Sequence, residues 1–92
     1  MRTIPRRDRM KIYGDVLSVI KTETRTGKII LTRIQLKTNV PFDRLKAYLS
    51  ELEELGLIQN GSSLKLTEKG QQYVVEYERV IDFMKRMGLI YR

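Results

Sequence analysis

Arg44 and Lys46 in the stretch PFDRLKAYLSELEE, with Glu51, Glu53 and Glu54 close behind them, are residues whose types could do chemistry. Arginine and lysine offer donors to phosphate oxygens and to base acceptors exposed in a groove. Clustered carboxylates can hold a metal or work as an acid–base pair. These three fall at the end of a helical pattern with no sign of a cleft, so a solvated acidic face is expected instead. The rest of the inventory narrows the chemistry further. The 92 residues include no histidine and no cysteine, which removes Ser-His-Asp triads, thiolate nucleophiles, His/Cys zinc sites and disulfides. The run GKIILT lacks the G-x-x-x-x-G-K-[ST] spacing of a phosphate loop. No catalytic group, cofactor, metal or small-molecule substrate is expected.

Charge points toward a polyanion. The chain holds 18 Lys and Arg against 11 Asp and Glu, for a formal net charge of +7. The excess is segregated. Residues 1–48 carry 12 basic and 4 acidic side chains, whereas residues 49–92 carry 6 and 7. A basic half is the footprint of a protein that meets phosphates. A charge-rich surface of thermophile type would explain the 32% charged content but not the one-sided excess. No apolar run reaches 18 residues, and the N-terminus lacks a signal-type apolar stretch. A cytoplasmic, nucleoid-associated protein with no membrane contact is therefore expected.

The elements that must position these residues follow from periodicity. Residues 1–9 read as a basic arm. Ile12, Tyr13, Val16, Leu17, Val19 and Ile20 give a helix from Arg9 to about Thr22. KTETRTGK is a loop, and Ile29 to Leu31 is a candidate short strand. Thr32 reads as the cap of a second helix with Ile34 inward. Asn39 suits a left-handed turn and Pro41 a first helical position. A third helix then runs to about Leu55, with Leu45, Tyr48, Leu49, Leu52 and Leu55 on one face, and Gly56 stops it. Two short apolar runs around Asn60-Gly61 predict a hairpin. Thr67 caps a last helix that continues toward Met87, where Gly88 ends or frays it. Helix, brief strand, helix, turn, helix, hairpin, helix is the layout of a winged helix-turn-helix, a mainly α (α+β) fold. It occupies residues 10–70, with residues 71–92 as a C-terminal dimerisation helix.

In that layout the third helix enters the major groove by its N-terminal part. With Leu45, Leu49 and Leu52 inward, Phe42, Asp43, Arg44, Lys46 and Ala47 face outward. Asp43 is the awkward member. It suits a cap, an acceptor for a cytosine amine, or a partner for Arg44. Arg33, Lys37, Thr38 and Asn39 are placed to grip phosphates around the turn. Lys65, between two leucines of the hairpin, faces out on the wing. Arg2, Arg6, Arg7 and Arg9 of the arm are placed for the backbone or the minor groove.

The last helix carries a second pattern. Tyr77, Met84 and Tyr91 recur every seven residues, and Tyr73, Val80 and Met87 form a companion series. Val74 and Ile81 widen the stripe. The start of the stripe, near Tyr73 and Val74, is expected on the protein's own core. The far end, with Val80, Ile81, Met84 and Met87, is expected in a coiled-coil-like homodimer.

LTRIQLKTNVPFDRLKAYLSELEELGLI followed by LKLTEKGQQYVVEYE resembles archaeal winged-helix proteins, closest to the ten-kilodalton class of Sulfolobus chromatin-associated DNA-binding proteins and related archaeal regulators. The matching residues are Thr32-Arg33-Ile34 with Asn39-Val40, then Tyr48-Leu49 through Gly56-Leu57-Ile58, then Leu66-Thr67-Glu68-Lys69-Gly70. The resemblance spans roughly residues 10 to 85. It implies a homodimer joined by antiparallel pairing of the last helix, and double-stranded DNA binding with modest sequence preference in compaction or regulation. The chain departs from that class in a last helix that breaks near Gly88 and in a more arginine-rich arm. A different class of function is a winged-helix protein-interaction module of transcription machinery, whose partner would read the acidic face Glu51 to Glu54.

Overall fold

Tyr13, Val16, Leu17 and Ile20 recur at helical spacing, and in the computed structural model they form the buried stripe of the first helix, α1 (Arg9–Arg25). The structure describes residues 9–25, 27, 29, 31–61 and 63–89. α1 extends past Thr22 to Arg25. Thr22 and Thr24 return their hydroxyls to the carbonyls of Ser18 and Ile20 at 3.1 and 2.7 Å. Glu23 lies on the same stripe as Val16 and Ile20 and is buried with them.

Helix α2 (Leu31–Thr38) starts one residue before Thr32, so Thr32 is inside the helix and does not cap it. The strand expected at residues 29–31 is not formed by the described residues. Leu31 is helical, and their sheet has only the two strands of the hairpin. β-branching favours extended backbone, but the favour is weak without a paired edge.

The turn follows the expectation more closely. Asn39 takes φ +58° and its N–H donates to the Gln35 carbonyl at 2.9 Å, closing α2. Val40 is buried, and Pro41 is the residue before α3 (Phe42–Glu54), one place earlier than expected. Leu45, Leu49 and Leu52 are buried on α3. Leu55, expected on the same face, is 47% exposed. The helix ends at Glu54, and Gly56 at φ +79° turns the chain away. Leu57 N–H reaches the Leu52 carbonyl at 2.9 Å and Gly56 N–H reaches that of Glu53 at 3.0 Å, a Schellman closure. Leu57 thereby takes the inward place that Leu55 loses.

β1 (Ile58–Asn60) and β2 (Leu64–Leu66) pair antiparallel, Ile58 opposite Leu66, Gln59 opposite Lys65 and Asn60 opposite Leu64. Asn60 is the last strand residue, so the turn begins at Gly61. Thr67 caps α4 (Glu68–Arg86) by accepting from Gly70 N–H at 3.0 Å, and donates its hydroxyl hydrogen to the Gly56 carbonyl at 2.6 Å. A second Schellman closure ends α4: Gly88 at φ +73° donates to Lys85 at 3.0 Å and Leu89 to Met84 at 2.7 Å. One core joins α1, α2, α3, the hairpin and the first half of α4 around Leu17, Ile20, Ile34, Leu45, Leu52, Ile58 and Val74. Among the described residues no helix is long and apolar enough to cross a membrane.

Candidate nucleic-acid interface

α3 is oriented by its leucines. Burying Leu45, Leu49 and Leu52 leaves Phe42, Asp43, Arg44, Lys46 and Ala47 exposed on the N-terminal half. Lys46 Nζ lies 5.6 Å from the centroid of the Phe42 ring, a cation–π contact one turn apart that holds the ammonium over the start of the helix. Arg44 makes no ion pair among the described residues. Asp43 lies in the first turn, where its charge suits the positive end of the helix dipole, and no side chain caps that end.

The acidic end of α3 is built differently from a plain solvated face. Glu51 accepts hydrogen bonds from Arg9 Nη1 at 2.9 Å and from the Tyr13 hydroxyl. Arg9 also donates to the Tyr13 oxygen at 3.2 Å and lies 5.7 Å from the centroid of the Tyr48 ring. Tyr13 and Tyr48 meet edge to face with centroids 6.2 Å apart. Burial, with the Glu51 hydrogen bond, pushes the Tyr13 phenol above its ordinary pKa. Arg9, read as the end of the arm, is thus the first residue of α1 and ties it to α3. Glu53 and Glu54 remain exposed.

Around the turn the expected phosphate contacts divide. Arg33 and Lys37 are half-exposed, one turn apart on α2, and both reach Glu23: Arg33 Nε at 3.4 Å and Lys37 Nζ at 3.0 Å. Thr38 is turned away from any ligand. It is 4% exposed and its hydroxyl donates to the Ile34 carbonyl at 2.7 Å, because it continues the inward stripe of Ile34. Thr38 is therefore removed from the surface set. Asn39 is exposed at its left-handed position. On the wing, Lys65 is exposed opposite Gln59. Arg2, Arg6 and Arg7 lie outside the described residues.

Sequence reasoning missed Glu23, although its spacing of three from Ile20 and seven from Val16 marked it as inward-facing. On α4, Tyr77 is spent within its own chain: it is buried, and its hydroxyl donates to Asp15 at 2.9 Å. Its place in a dimer seam is corrected accordingly. Tyr73 is half-buried and donates to the Met10 carbonyl at 2.9 Å. Farther along, Val80 and Met87 are exposed, while Ile81 and Met84 are half-buried. Phe83, not singled out by the seven-residue pattern, is 49% exposed and shares a helical stripe with Val80 and Met87. Tyr91 lies outside the described residues.

Comparison with known proteins agrees with this arrangement at the level of the family. Neither the curated proteins nor the solved structures yielded a match. A family model described as winged helix-turn-helix, a generally DNA-binding domain, matches residues 6–85. That match covers all four helices up to the penultimate residue of α4, together with the hairpin between α3 and α4. The chain belongs to the winged helix-turn-helix family.

Proposed function

We propose that this protein binds double-stranded DNA as a homodimer, with α3 in the major groove and α2, the wing and the basic arm along the phosphate backbone. The observation that carries the proposal is the polarity of α3. Its exposed N-terminal half presents Arg44 and Lys46, while its acids lie at the far end, with Glu51 held against Arg9 and Tyr13. Two basic side chains on the reading face, against ten others in the first 48 residues, favour binding dominated by phosphate contacts with some sequence preference. The exposed stripe of Val80, Phe83 and Met87 supports a homodimer through α4. The resemblance of its motifs to those of archaeal chromatin-associated proteins supports a role in chromatin architecture or transcription regulation. A protein-interaction role for the acidic end of α3 is weakened by the internal engagement of Glu51.

The deciding experiment is a salt titration of binding to two unrelated duplexes of about 30 base pairs. A steep slope with similar affinities identifies backbone-dominated, chromatin-type binding. A large gap in affinity between the duplexes identifies a sequence-specific regulator. No binding to either at low salt overturns the proposal and puts a protein partner in its place.

A further inference from the structure

Glu23 is 2% exposed, near the end of α1, yet two cations from α2 reach it. Arg33 and Lys37 are four residues apart and so project from one face of the helix. Their side chains are 54% and 47% exposed, so each has one side on the carboxylate and the other open to solvent. Arg33 approaches Glu23 through Nε. A guanidinium has a further pair of Nη nitrogens able to fork onto an oxyanion. Lys37 Nζ, 3.0 Å from Glu23, carries three donors. One cation would balance one buried carboxylate, and the second leaves this group with a net positive charge at the surface. Arginine and lysine tips on a surface ordinarily lose much rotational freedom when they bind. Here the carboxylate has already restricted them.

We propose that Glu23 is a positioning residue for a phosphodiester-binding pair, holding Arg33 and Lys37 in the orientation in which one backbone phosphate of duplex DNA bridges them. The proposal rests on the DNA-binding reading above and names a residue that does not itself touch DNA. It makes a prediction opposite in sign to simple electrostatics. Replacing a carboxylate by an amide raises the net charge, and on charge alone that tightens binding to DNA. Loss of positioning weakens it.

The test measures duplex affinity against salt for the wild type, Glu23→Gln, and Glu54→Gln, an exposed acid on α3 that calibrates the charge effect. Glu54→Gln is expected to tighten binding slightly. Glu23→Gln is expected to weaken it roughly 3- to 10-fold, the scale of re-ordering one or two long side chains. Arg33→Gln and Lys37→Gln each leave Glu23 one of its two cations from α2 and are expected to lower the salt slope by about one. Tightening by Glu23→Gln equal to that of Glu54→Gln overturns the positioning role. Unchanged slopes for Arg33→Gln and Lys37→Gln overturn the phosphate pair.

A second measurement needs no variant and so survives a Glu23→Gln protein that fails to fold. The Nε–H resonance of Arg33 in the wild type is followed by NMR as duplex is added. A specific shift supports the pair, and an unmoved signal at saturation overturns it. If the wild type binds no duplex, the DNA-binding reading fails as well. If it binds steeply and only Glu23→Gln departs from expectation, the role of Glu23 alone fails; if Arg33→Gln and Lys37→Gln also keep the wild-type slope, the phosphate pair fails with it while the DNA-binding reading stands.

Discussion

The ring of Tyr77 on α4 fills the space where a β-carbon on Gly14 of α1 would stand. Such an atom would lie 2.6 Å from three ring carbons. Glycine in mid-helix ordinarily costs about 1 kcal/mol relative to alanine, so Gly14→Ala would stabilise an isolated α1. In the folded protein the ring has little room to yield, because its hydroxyl is held by Asp15 at 2.9 Å. Gly14→Ala is expected to destabilise by about 1–3 kcal/mol, the range of an overpacked core. Gly70→Ala is expected to be worse. Its β-carbon would come within 2.0 Å of the Leu57 carbonyl oxygen, a backbone atom that also accepts from Thr67 N–H. Denaturant melts of both variants check the order, and a rise in midpoint for Gly14→Ala would contradict the packing account.

Removing Arg44 and Lys46 together tests the reading face of α3. Both are exposed, and their loss leaves the leucines beneath intact. The double alanine variant is expected to keep the wild-type melting temperature, to bind duplex more weakly and to show a salt slope lower by about two. An unchanged affinity would remove α3 from the interface.

The far half of α4 tests the proposed dimer. Val80 and Met87 lie on one stripe, are 38% and 54% exposed, and are not among the residues packed against the core. Val80→Glu with Met87→Glu is expected to convert a dimer of the 10.9 kDa chain into a monomer in sedimentation equilibrium. A wild type that sediments as a monomer at high concentration would defeat the dimer reading.

Alkaline pH should act through Tyr13. Burial and its hydrogen bond to Glu51 raise the phenol above its ordinary pKa of 10.0. A group whose folded-state pKa is raised is favoured in its protonated form by the fold. Its contribution is complete below the unfolded-state pKa of about 10 and is lost as pH rises from there through the folded value. Stability is therefore expected to fall above about pH 10, and Tyr13→Phe to flatten that fall. Urea midpoints measured across this range check both, and an equally steep decline in Tyr13→Phe would assign the loss to other groups.

Much of the fold is legible in the chain because its signals are local. Asn39 and Gly56 adopt the positive φ their residue types favour, Thr67 caps the helix it precedes, and Asn60-Gly61 marks the turn end of a hairpin. Leu45, Leu49 and Leu52 set the inward face of α3 and so, by elimination, the outward place of Arg44 and Lys46. Both ends of α4 are legible for the same reason. Its start and its stop at Gly88 are readable from a capping threonine and a glycine.

Tertiary structure decided what depends on the approach of one element to another. Periodicity says that a helix has apolar faces but not which of their residues a neighbouring element covers. Tyr77 therefore meets Gly14 and is spent inside the chain, whereas Val80 and Met87 stay exposed on the same helix. Leu55 fits the α3 stripe, yet the left-handed turn at Gly56 hands its place to Leu57. Charges show the limit most plainly. Glu51 resembles its acidic neighbours and Glu23 any loop-end carboxylate, and only the packing of α1 brings Arg9 and Tyr13 to the first and closes the second beneath Arg33 and Lys37. A side chain's charge is set by the sequence, but its partners and its dielectric surroundings belong to the assembled fold.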